Sequence, residues 1–173
     1  LDGCPPELRG WEWGRLKFLC DRSKLSLKAE APLNAVAVDA GASRFAAAGW
    51  NGVVDIWSAD GTRAAGFKLP AAVNSLAFAS HGKSLVVGSD DPKNYVGLVS
   101  AVDGKSLQSF VGHTKPVFGV TLDRSGKRLL TASADGTARL WDFASGKELR
   151  VLRGHNSAVT SAVFSPDEQT IVT

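Results

Sequence analysis

Four segments of the chain can be laid over one another: Leu33–Val38, Val73–Phe78, Val117–Leu122 and Val159–Phe164. Their starts lie 40, 44 and 42 residues apart. A second column keeps the beat, with Ile56-Trp57, Leu98-Val99 and Leu140-Trp141 recurring every 42 residues. A fixed period in the low forties marks a stacked repeat architecture, and a unit of four short strands is a propeller blade.

Each unit reads as strand, turn, strand. After the first segment comes a turn (39–42, 79–82, 124–126, and 166–168 at the end), then a short β run at 45–48, 85–87 and 129–132. Asn51-Gly52 and Asp135-Gly136 follow, supplying the positive-φ residues that tight hairpins need. Third strands are expected at 53–57, 95–99 and 137–141, and a fourth run at 149–152 after the glycine turn Ser145-Gly146. No stretch beyond residue 24 has a helical period. The chain is expected to be all-β.

Composition removes several function classes. With 44% hydrophobic and 21% charged residues the chain has the make-up of an ordinary globular protein. No apolar run approaches the roughly 18 residues of a membrane span, and no signal segment opens the chain. Cys4 and Cys20 are too few for a disulfide framework or a four-ligand metal site. The net charge of +3 is spread thinly: residues 1–28 carry six basic and four acidic groups, the remainder 14 and 13. Interspersed signs describe a solvated surface rather than a nucleic-acid face. No cofactor, metal, nucleic acid or membrane contact is expected, and a cytoplasmic location is the default.

At these repeats the sequence resembles the WD-repeat β-propeller family. Gly112-His113 leads to Asp135-Gly136 and then Trp141-Asp142; Gly154-His155 opens the next unit, and Phe164-Ser165-Pro166-Asp167 matches another family hallmark. The resemblance covers residues 24–173 and implies a structural hydrogen-bond tetrad on His113, Ser133, Asp135 and Trp141. The indole would donate to the serine hydroxyl, the serine to the imidazole, and the imidazole to the carboxylate. The earlier units depart from the pattern. The first has Lys28-Ala29, Gly49, Asn51 and Trp57; the second has Lys68-Leu69 and Val99, keeping Ser89 and Asp91. Those two blades are expected to rely on apolar packing.

Residues 1–23 differ in kind. Pro5-Pro6-Glu7 has the character of a helix start, and Leu8, Trp11, Leu16 and Leu19 fall mostly on one side of the helix it would open. The expected role is packing against the propeller or upstream segments. The stretch 9–20 is similar to the junction before the propeller in large bacterial WD-repeat proteins, some with an upstream serine/threonine kinase domain. That makes a regulatory region of a larger kinase or other multidomain enzyme the alternative to a free-standing scaffold. Leu1 in a chain without methionine points to a piece of a longer polypeptide. Repeats at about 30–69, 70–113 and 114–155 and a truncated 156–173 describe an incomplete propeller, whose open strand edges should favour self-association.

Apparent active sites have simpler readings. His113, Ser133 and Asp135 suggest a nucleophilic triad, yet each falls in a tetrad column, and no nucleophile elbow is present. Gly82-Lys83-Ser84 and Gly104-Lys105-Ser106 lack the first glycine of a phosphate loop, having Ala77 and Val99 there. Asp90-Asp91 lacks the ligand count for Ca²⁺. A binding surface remains. The turns bearing the tetrad His and Asp share one face, the usual partner face of the family. It carries Trp50, Asp91, Lys93, Asn94, Tyr95, Lys115 and Phe118, with Asn34 and Asn74 in columns equivalent to Phe118. Aromatic residues among a few charges have the composition of interface anchors. A non-catalytic protein-interaction scaffold is the expected function, with protein partners.

Overall fold

A computed structural model describes residues 31–93 and 95–173. The expected N-terminal helix and Asn94 lie outside the described residues. Three four-stranded antiparallel sheets follow one another along the chain. The first holds β1 (Leu33–Val38), β2 (Arg44–Gly49), β3 (Val53–Ser58) and β4 (Arg63–Lys68). The second holds β5 (Val73–Ala79), β6 (Ser84–Ser89), β7 (Val96–Ser100) and β8 (Ser106–Ser109). The third holds β9 (Val117–Leu122), β10 (Arg128–Ser133), β11 (Ala138–Asp142) and β12 (Glu148–Leu152). β13 (Val163–Phe164) and β14 (Ile171–Val172) begin a fourth. The only helical element among the described residues is a 3-10 turn at Ser80–Gly82.

Local chemistry sets these strands. Gly52 and Gly136 both adopt positive φ, at 74° and 82°. In the same turns Asn51 Oδ1 and Asp135 Oδ1 accept the amides of Val53 and Thr137. Such short polar side chains close the turn by mimicking a backbone carbonyl. Register then follows: Phe45 pairs with Trp57, Leu85 with Val99 and Leu129 with Trp141. The three members of the Trp/Val column, Trp57, Val99 and Trp141, therefore occupy the same place in each sheet.

Period-two alternation decides what each sheet face buries. Leu85, Val87 and Val99 of the second sheet join Ala46, Ala48, Val54 and Ile56 in one apolar cluster with the first. Val86, Val96 and Leu98 point the other way, packing with Val117, Leu129 and Trp141 of the third. Leu130, Ala132 and Ala138 then meet Val159 and Ala162 beyond it. Every cluster is shared between neighbours, so no sheet has a core of its own. The fourth unit is shorter than the segment 159–164 suggests: Val159 instead donates its amide to Ser133 O of the third sheet.

Candidate functional site

The buried polar centre of the third sheet is a four-membered hydrogen-bond chain. Trp141 Nε1 donates to Thr131 Oγ1 at 2.9 Å, and Thr131 Oγ1 lies 2.7 Å from His113 Nε2. His113 Nδ1 in turn lies 2.7 Å from Asp135 Oδ2. The ionised Asp135 carboxylate can only accept, so Nδ1–H donates to it; in the neutral imidazole Nε2 then accepts from Thr131, whose oxygen accepts the indole N–H. Ser133, expected in the hydroxyl position, is not part of it. Ser133 ends β10 at a register shift and hydrogen-bonds the carbonyls of Lys115 and Pro116. Thr131 lies two residues deeper on the same face of the strand, within reach of both rings. The same relation appears in the fourth unit, where His155 Nε2 meets Thr173 Oγ1 at 2.7 Å. The signal was in the period: Thr131 and Thr173 are 42 residues apart, as are His113 and His155.

Electrostatics favour a neutral imidazole. Burial, the largest influence, lowers the His113 pKa, outweighing the hydrogen bond and charge of Asp135. Burial alone would raise Asp135, yet hydrogen bonds from Thr137 and His113 outweigh it and hold the carboxyl at about 2. Arg139 closes the site, reaching Asp135 at 3.7 Å and Glu148 at 2.6 Å. Thr131 is wholly buried, so its hydroxyl is a structural donor and not a nucleophile. Among the described residues no group of three or more His, Cys, Asp or Glu side chains could hold a metal ion.

The candidate partner surface is set by topology. In an antiparallel sheet the start of the first strand, the end of the second and the start of the third share one end. Asn34, Trp50, Asn74, Asp91, Lys93, Tyr95, Lys115 and Phe118 all fall at that end. They differ in what they do there. Trp50 is 70% exposed and Phe118 37%, with Lys93 and Lys115 also exposed. Tyr95 is half-buried against the apolar cluster between the second and third sheets. Asp91 accepts the Lys93 amide at 2.9 Å. Asn34 and Asn74 tie sheets together, their amides donating to Val73 O at 3.2 Å and Val117 O at 3.3 Å. Asn74 also donates to Asp90 at 2.7 Å. No feature of the sequence distinguished these ties from free surface amides.

The model of the family described as "WD domain, G-beta repeat" matches residues 66–93, 104–142 and 146–173, more than half of the chain. The match 104–142 begins before β8 and ends with β11, so the sequence repeat is one strand out of phase with the sheet. The chain is 33% identical over 99 residues to an uncharacterised WD repeat-containing protein of Synechocystis, covering 57% of this chain and 28% of that one. It is 36% identical over 92 residues to eukaryotic translation initiation factor 3 subunit I of Homo sapiens, covering 53% and 27%. Against the COMPASS component SWD3 of Saccharomyces cerevisiae it is 29% identical over 99 residues, covering 57% and 30%. Each match thus spans less than a third of the relative's length. Among solved structures, the computationally designed Ika4 protein superimposes with a TM-score of 0.67 at 24% identity, covering 81% of this chain and 84% of that one, a likeness of fold.

Proposed function

The chain belongs to the WD domain, G-beta repeat family, and from that premise we propose that it is a non-catalytic scaffold capturing partner proteins on the end of the sheets that bears Trp50 and Phe118. Repeats of this family generally serve protein interaction. Two of the relatives are by name a subunit and a component of larger complexes, which supports the same class of role here. The observation that carries the choice of face is the exposure of two large aromatic side chains, Trp50 and Phe118, at the same end of the sheets as the exposed Lys93 and Lys115. Aromatic anchors on a rigid rim lose little entropy on binding and dominate interface energetics.

The test is a double variant, Trp50→Ala with Phe118→Ala, in affinity capture followed by cross-linking. Partner recovery should fall at least tenfold, about 1.4 kcal/mol or more, with the melting temperature unchanged. Recovery equal to the parent chain overturns the choice of face.

A further inference from the structure

The second sheet has a hole where the third has its hydrogen-bond chain. The pairs Leu85–Val99 and Leu129–Trp141 put Val87 and Val99 in the columns of Thr131 and Trp141; Leu69 stands four residues before β5 as His113 does before β9, and Asp91 two residues after β6 as Asp135 does after β10. Leu69, Val87, Asp91 and Val99 all line one cavity of about 340 Å³. The cover is missing as well. Arg139 and Glu148, which close the third sheet's site, are replaced in register by Gly97 and Ser106, and both line the same cavity. An indole, an imidazole and an ion pair have given way to valine, leucine, glycine and serine, while the cross-strand register around them is kept and the β6–β7 turn is two residues longer than its β10–β11 counterpart.

What remains is a specific chemistry. Val87, Val99 and Leu69 make apolar walls, and the volume is within the range of small-molecule sites. Asp91 keeps the carboxylate and keeps its turn, accepting the Lys93 amide through Oδ1. In the third sheet the corresponding carboxylate accepts the Nδ1–H hydrogen bond of His113. In the second sheet that column is Leu69, which has no proton to give. An apolar slot ending on a carboxylate suits a planar ring that carries a cationic N–H donor. We propose that the flank of the second sheet binds a small aromatic amine, its ring against the wall made by Val87 and Val99 and its ammonium on Asp91. This goes beyond partner docking, with which it shares only Asp91. The Trp50/Phe118 variant leaves the cavity intact, so either reading can fail alone.

The experiment uses the whole chain and tryptamine as probe, with indole as the uncharged ring and indole-3-propionate as its anionic counterpart. Titration followed by amide NMR should shift Gly97, Gly104 and Ser106 together, with tryptamine binding at least tenfold tighter than indole-3-propionate. Asp91→Asn should remove at least tenfold of the tryptamine affinity and change indole less than twofold. Val99→Trp should fill the slot and abolish binding of all three. Shifts confined to the Trp50 rim, or none at millimolar probe, overturn the proposal. Because that map is made on the unaltered chain, it decides the question even where Val99→Trp fails to fold.

Discussion

The second and third sheets solve the same packing problem with different interiors. Both carry the same cross-strand register and a fully buried central strand start to finish or nearly so: β6 is buried throughout, and β10 in all but its first residue. The third sheet encloses a polar chain from Trp141 to Asp135, whereas the second leaves an open cavity lined by Val87 and Val99. The backbone of a blade therefore does not need the polar chain. Alternation, turn chemistry and burial against neighbours suffice to set the strands. The polar chain adds a directional lock, since each member is satisfied only when the others are in place.

The largest effect should come from the lock's bulkiest member. Trp141 is wholly buried and touches both Phe110 and His113. Trp141→Ala should cost about 3–5 kcal/mol through cavity and lost donor together. Val99→Ala in the second sheet should cost about 1–2 kcal/mol, because it enlarges a void already present. Denaturant midpoints of the two variants measure the gap. Equal costs would mean that the polar chain contributes nothing beyond apolar filling.

Acid should separate the sheets next. The fold lowers the His113 pKa below its ordinary 6.5, so the unfolded chain takes up the proton first. That contribution is complete above about pH 6.5 and is lost as pH falls below it. Asp135, held at about 2, adds a second loss as pH drops from about 4 towards 2. His113→Ala should cost about 1.5–3 kcal/mol at pH 7 and flatten the dependence just below pH 6.5. Leu69→Ala should leave that slope intact. Amide exchange across β6 and β10 reads both; a slope that survives in His113→Ala assigns it to another group.

Strands, turns and the Trp/Val register were legible because they depend on neighbours in sequence and on a period. The polar chain was legible in three of its four members. The resemblance implies Ser133 as the hydroxyl, but the one that bonds both rings is Thr131, two residues deeper, and only geometry distinguishes two side chains on one strand face. The cavity was half legible: Leu69 and Val99 announced the missing rings, while the persistence of the space depends on Gly97 and Ser106 failing to cover it. The roles of Asn34 and Asn74 were not legible, since their acceptors, Val73 O and Val117 O, are 39 and 43 residues away.

Those two asparagines supply the smallest and most discriminating test. Each ties its sheet to the first strand of the next, but Phe118 in the third column has no amide to offer. The third sheet instead reaches the fourth unit through Thr121 Oγ1 to Ala162 O and through Arg128, which bridges Asp123 and Glu168. Asn74→Ala should therefore cost about 1 kcal/mol, somewhat more than Asn34→Ala because the link to Asp90 is lost with it. The loss should appear as faster exchange at Val120, whose amide crosses the same junction to Ser75 Oγ. Phe118→Asn should leave exchange at Ala162 unchanged, because that junction is held elsewhere. If Phe118→Asn slows it, the column is a general tie, and its aromatic residue in the third sheet has been exchanged for stability that the exposed rim does without.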